Sequence, residues 1–292
     1  MPTPMSAARP AAGATPLERV LSPGNRDVLI IAHRGDWARA PENSLAAVRG
    51  AIERGFDMVE IDVRLASDGV PVVIHDASLD RTTEGTGPMS ALASAQLRAL
   101  RLREGEGGRD AALTDERLPD LAAFLEEARG RILVNLDTKN PAELGRIAPL
   151  VADMGMAGEV VVKCEVKPEE AARLPVGHPA HGPLPFMPIL ETSAGRVAGD
   201  VRALARLSPL MIECHPEAAA ILAEGREATA SAGIRLWVNT IDCSHIPDFD
   251  DSRALDDPHA VWGRLVDWGV GAIQTDRGAE LAGFLRQIGR RA

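Results

Sequence analysis

The sequence predicts an α/β protein whose strands close into a single (β/α)8 barrel. Three observations carry that expectation. Short apolar, β-rich runs alternate with longer runs of helical period from Val28 onward. The series of eight or nine such strands is unbroken, which favours a closed barrel over an open sheet. Residues 28–292 also match one barrel in length, since such folds run to about 250 residues.

The elements follow in chain order. Val28, Leu29, Ile30, Ile31 and Ala32 are all apolar, as in a strand buried on both faces. Leu45, Val48 and Ile52 then fall at helical spacing, with Asn43 or Ser44 able to cap and Gly55 to stop the helix. Residues 58–63 and 70–75 are the next strand candidates. Further candidates lie at 132–137, 160–164, 186–190, 210–214, 234–239 and 271–275. Helical patterns occupy 118–128, 141–154, 217–232 and 258–268. Nine candidates are one more than a barrel needs. Pro188 lacks a ladder donor, which makes 186–190 the weaker one. The link 64–69 is too short for a crossover helix, and Asp68-Gly69 signals a hairpin. A turn centred there sets Asp62 opposite His75; parallel neighbours would put both at strand ends. Either geometry brings the two together.

Composition narrows the function. Apolar residues make up 45% and charged residues 25%, the balance of an ordinary globular protein, which excludes disorder, collagen-like repeats and a disulfide scaffold. A net charge of −10 argues against sequence-independent nucleic-acid binding. Five Phe, four Trp and no Tyr argue against stacking platforms and aromatic cages. Cys164, Cys214 and Cys243 are odd in number with no CxxC, and read as buried or half-buried free thiols in a reducing compartment. Residues 1–27 read as a tail and lead-in without the apolar core of a signal peptide, and no stretch approaches a membrane span; a cytoplasmic location is expected.

Chemistry concentrates at strand ends, where a barrel of this kind carries its active site. With the weaker run 186–190 set aside, His33-Arg34 ends the first, Glu60 and Asp62 the second, His75-Asp76 the third, and Asp137 and Lys139 the fourth. Lys163 ends the fifth, Asn239 the seventh, and Asp276 follows the eighth. Glu60 and Asp62 share one strand face. Two such acids are unfavourable unless a cation lies between them, and a hard divalent ion with Asp137 as third ligand would serve. The alternative is a solvated strand end with ion-pair partners. One histidine alone reads as structural. Two at strand ends beside paired acids suit proton transfer at a phosphodiester. Arg34 and Lys139 would hold its oxygens. The acids from Asp248 to Asp257 lack the glycine and final Glu of a calcium loop and read as solvated. Cys214-His215 and Asp242-Cys243 have no second pair at zinc spacing.

His33-Arg34-Gly35, Pro41-Glu42-Asn43-Ser44, Glu60-Ile61-Asp62-Val63, the run from Asp68 to Asp76 and the run from Leu79 to Gly87 stand in one order and spacing. This set resembles the glycerophosphodiester phosphodiesterase family, densely over residues 29–87 and more thinly afterwards. The resemblance implies a TIM barrel with a small insertion after the third strand, here 77–116. It implies metal-dependent hydrolysis of a small phosphodiester to glycerol 3-phosphate and an alcohol, with no nucleic-acid partner. His33 and His75 become the general acid/base pair, Arg34 and Lys139 the phosphate ligands, and Glu60, Asp62 and Asp137 the ligands of one divalent cation, Mg²⁺ or Ca²⁺. A cyclic phosphate intermediate is one route the resemblance allows. Glu42 looks like an organiser of the first loop rather than a ligand.

The departures are specific. Asp137 stands where the family usually has Glu, one methylene longer. Asn239 takes the place of a usual Trp, with Trp237 two residues earlier, and Lys163 is an added cation. Lys163, Trp237 and Asn239 are therefore candidates for a substrate pocket around the alcohol. Lysophospholipids or a sugar phosphodiester are the alternative substrates. Leu92, Leu97, Leu100 and Leu102 would form a lipid ramp or else the insertion's own packing. A non-catalytic phospho-ligand binder would be expected to lose a histidine or an acid, and all are present.

Overall fold

The computed structural model describes residues 14–22, 24–138 and 140–292. Its eight parallel strands are Leu29–His33, Met58–Leu65, Leu133–Thr138, Val160–Glu165, Phe186–Thr192, Met211–Pro216, Arg235–Ile241 and Val270–Thr275. The first pairs with both the second and the last, which closes the barrel.

The surplus candidate is not the one the sequence singled out. Phe186–Thr192 is the fifth barrel strand and pairs on both sides, with Cys164 opposite Pro188. A proline removes one ladder donor, and the flanking pairs carry the strand. The element outside the barrel is Pro71–Val73, antiparallel to the second strand. Its link is too short to cross over, so it turns back through Gly69, whose φ is +80°. Val63 pairs with Val73 and Arg64 with Val72, one step off the predicted register. Ile74 N–H therefore donates to the Asp62 carbonyl at 2.9 Å, and His75 lies one residue beyond. Asp137 accordingly ends the third barrel strand and Lys163 the fourth, and the insertion 77–116 follows this hairpin arm.

Alternation along each strand divides the apolar residues into two layers. Ile61, Val63, Leu136, Val162 and Ile273 face the surrounding helices. Leu29, Ile31, Met58, Leu133, Met187, Met211 and Trp237 fill the barrel floor. Leu17 and Leu21 join that floor from the short helix Pro16–Val20, whose Thr15–Glu18 capping box satisfies its first amides. Arg235 ties this lead-in down by donating to the carbonyls of Asn25 (2.8 Å) and Asp27 (2.7 Å). Only a glycine at 271 leaves room, since a Cβ there would lie 2.7 Å from Arg235 Cγ.

The predicted helices appear as Leu45–Glu53 capped by Ser44, Leu121–Ala128 capped by Asp120, Leu144–Asp153 and Leu222–Ala232. The 258–268 pattern is helical at His259–Gly263 and Arg264–Asp267. Val197–Leu204 and Gly278–Gln287 complete the outer layer and were not anticipated. The insertion forms the ribbon Arg101–Arg103 with Leu113–Arg117 over its own core, in which Leu97 and Leu102 are buried and Leu92 and Leu100 pack. The four leucines face inward, so they make no lipid ramp. Among the described residues no helix is long and apolar enough to cross a membrane.

Candidate active site

The first βα loop begins with strained backbone. Arg34 and Asn43 sit at φ +55° and +56°, and Gly35 at +90°. A Cβ on Gly35 would lie 2.7 Å from that of Ala47, so only glycine lets the following helix pack here. The turn aims Arg34 into the barrel mouth, where Nη1 donates to Glu42 Oε2 at 3.0 Å and Nε lies 3.1 Å from Asp62 Oδ2. Asn43 reaches the same carboxylate, with Nδ2 2.9 Å from Asp62 Oδ2. Glu42 organises this loop and stands outside the carboxylate cluster.

That cluster is Glu60, Asp62 and Asp137. Parallel register sets Asp62 beside Asp137, and one ligand oxygen from each lies within 4.8 Å of the others. Ile61 between the acids points to the outer layer. Glu60 is 2% and Asp62 1% exposed. Burial, and then the charge of Asp62, push Glu60 up to about 7. Three hard oxygen donors in one spot fit a divalent ion.

Each histidine is held by an acid. His33 Nδ1 is 2.8 Å from Asp276 Oδ1, and His75 Nδ1 is 2.7 Å from Asp76 Oδ1. A carboxylate only accepts, so each Nδ1 carries the proton and each Nε2 is left for the cleft. Burial opposes a charge on His33, but Asp276 and Glu60 outweigh it and raise its pKa. Trp37 Nε1 donates to Asp276 at 2.9 Å. Asp76 is gripped twice by Arg81, from Nε at 2.8 Å and Nη2 at 2.9 Å, and Arg81 also binds Glu42. Asp251 supports the other pair by accepting from Thr275 Oγ1 and Asp276 N–H, each at 2.8 Å. This corrects the expectation of a wholly solvated acidic stretch: Asp251 is 1% exposed, and Asp250 caps the helix Asp251–Asp256.

Across the barrel lies a second polar group. Lys163 Nζ donates to Glu213 Oε2 at 2.9 Å and lies 3.9 Å from Asp137. Burial opposes both charges, yet the pair outweighs it, holding Lys163 above and Glu213 below their ordinary values. His215 Nε2 (2.9 Å) and Asn239 Nδ2 (3.0 Å) complete Glu213 Oε1. Lys163→Met should strand this carboxylate, lowering stability by roughly 3–5 kcal/mol, and a denaturant titration checks it. The double variant Lys163→Met with Glu213→Leu should recover much of the loss.

The cleft these groups line holds about 450 Å³. His33, Arg34, Glu60, Asp62, His75, Asp137, Lys163 and Asn239 all line it. Trp237 does not: it is fully buried in the floor, with Nε1 donating to Asn239 Oδ1 at 2.7 Å. Lys139 lies outside the described residues. Glu213, His215 and Arg81 were missed, although an acid inside the apolar run of Leu210, Met211, Ile212 and Cys214 was a readable signal. Cys164 and Cys214 are buried and Cys243 is exposed, all as free thiols.

The comparisons fall on this framework. The model of the Glycerophosphoryl diester phosphodiesterase family matches residues 33–164. The match to that family covers just under half of the chain. The family match includes both histidines, Arg34 and the three clustered acids. A second model, a domain of unknown function, matches residues 186–285. Glycerophosphodiester phosphodiesterase 1 of Mus musculus is 40% identical over 131 residues, 44% of this chain and 39% of that protein. The Glycerophosphodiester phosphodiesterase of Caldanaerobacter subterraneus subsp. tengcongensis is 40% identical over 115 residues, 38% of this chain and 45% of that one. The chain thus spans less than half the length of these curated relatives. A crystal structure of glycerophosphodiester phosphodiesterase from Agrobacterium tumefaciens covers 86% of this chain and 97% of its own, at 29% identity and a TM-score of 0.63. A Parabacteroides distasonis structure, at 24% identity and TM-score 0.73, shares the fold over 93% of this chain and 92% of its own.

Proposed function

We propose that this chain hydrolyses glycerophosphodiesters to glycerol 3-phosphate and an alcohol. The observation that carries this reading is the cleft geometry: two histidines, each held by an acid at Nδ1, share one mouth with three crowded carboxylates and an arginine. Glu60, Asp62 and Asp137 would hold one divalent cation, Mg²⁺ or Ca²⁺, which when bound polarises a phosphoryl oxygen. Arg34, with Lys139, would bind the remaining phosphate oxygens. One oxygen–phosphorus bond forms and the bond to the leaving alcohol breaks; the attacking oxygen comes from water, or from a neighbouring hydroxyl to give a cyclic phosphate that water then opens to the monoester. One histidine takes the proton of the attacking oxygen through Nε2, and the other gives a proton to the departing one. His33 and His75 are the two residues proposed for these transfers. The inward packing of the insertion's leucines weighs against a lipid-binding ramp.

The test is product analysis. Incubation with glycerophosphocholine, glycerophosphoethanolamine, lysophosphatidylcholine and sugar phosphodiesters should release glycerol 3-phosphate from a glycerophosphodiester, and EDTA should stop it. Full turnover in EDTA would remove the cation from the mechanism.

A further inference from the structure

We propose, building on that hydrolase reading, that the wall formed by the fifth to seventh barrel strands is the alcohol subsite, built for a hydroxyl-rich leaving group such as a polyol or sugar. Strand order sets this wall across the barrel from the carboxylate cluster on the second and third strands. A phosphate held between Arg34 and that cluster directs one of its two arms toward it.

The wall is polar, but its charges are closed off. Glu213 is the acid that lines it, and both oxygens are engaged, Oε2 by Lys163 and Oε1 by His215 and Asn239. Lys163 is matched in turn by Glu213 and Asp137. Among the described residues that line the cleft on this wall, no further carboxylate remains to meet an ammonium group. A quaternary ammonium could use aromatic faces instead. Among the described residues that line the cleft there is no Phe, Trp or Tyr. Trp237 is sealed beneath the floor with Lys163 over its ring at 5.5 Å, and Trp37 is bound to Asp276 on the His33 side.

What the wall offers is neutral hydrogen bonding. His215 spends Nε2 on Glu213, which leaves Nδ1 without a partner among the described residues, on a side chain 41% exposed. The Ser244 hydroxyl lines the same cleft. Ile189 and Ile241 flank these groups and would pack against a ring's carbon face. The segment lies beyond the family match, which ends at residue 164.

The experiment compares kcat/KM for glycerophosphoinositol and glycerophosphocholine, read by glycerol 3-phosphate release, in wild type, His215→Ala and His215→Gln. The inositol diester should be preferred by about tenfold or more. His215→Ala should cost it about tenfold, the scale of one neutral hydrogen bond, while the choline diester changes by less than about twofold. His215→Gln should recover part of the loss. A preference for the choline diester, or equal losses on both substrates, overturns the subsite while leaving the hydrolase intact. Release of glycerol 3-phosphate from neither diester overturns the hydrolase reading and the subsite with it.

Discussion

His33→Ala and His75→Ala should each lower kcat on a glycerophosphodiester by about 10²–10⁴-fold, the usual contribution of a positioned acid or base. The fold should survive both changes. His75 is half-buried, and among the described residues its ring pairs with Asp76, which Arg81 continues to hold. His33 is buried, but its partner Asp276 keeps Trp37 and sits at the rim. Circular dichroism beside steady-state rates separates loss of chemistry from loss of structure. Wild-type turnover in both variants would end the histidine mechanism. A pH profile adds a signed check. Because the His33 pKa is raised, its limb of the profile should lie above 6.5. Asp276→Asn should move that limb to lower pH. The stability from this pair is complete below 6.5 and is lost as pH rises through the folded-state value.

Glu60→Gln should act in opposite directions on activity and stability. Turnover should fall by about 100-fold or more, because one of three cation ligands is gone. Thermal stability measured in EDTA should hold or rise. The Glu60 carboxyl titrates near 7 in the folded chain against 4.5 ordinarily, from burial and then from Asp62. A raised acid favours folding while it stays protonated, and that advantage is lost as pH rises through about 7. Metal-free wild type should therefore lose stability relative to Glu60→Gln between about pH 4.5 and 7, and Mg²⁺ or Ca²⁺ should reverse the loss in wild type alone. Parallel melting curves for the two proteins, or no response to either ion, would argue against a cation site.

Much of this was legible in the residues. Apolar runs every few tens of residues predict strands, and polar residues at their ends predict the mouth, because burial and alternation are local properties. Glu60 and Asp62 read directly as one face, and the ordered motifs from His33 to Gly87 pointed to the family. The placement of residues 70–75 was harder. Hairpin and barrel strand use the same apolar alternation, and the antiparallel register that decides between them depends on pairing. Pro188 misled for a related reason: a missing donor is a local defect, while the strand's place is decided by partners on both sides.

The sequence by itself determined the series of barrel strands, most of the helices between them, the polar residues at strand ends and the resemblance to the family. Only the tertiary structure decided who holds them. His33 meets Asp276 across 243 residues, and Lys163 meets Glu213 across 50. Barrel closure brings the first and last strands together, and no local spacing records such a contact. The same closure seals Trp237 into the floor and turns Asn239 toward Glu213. Burial and charge pairing belong to the assembled barrel, where each inward position is shared among strands far apart in the chain.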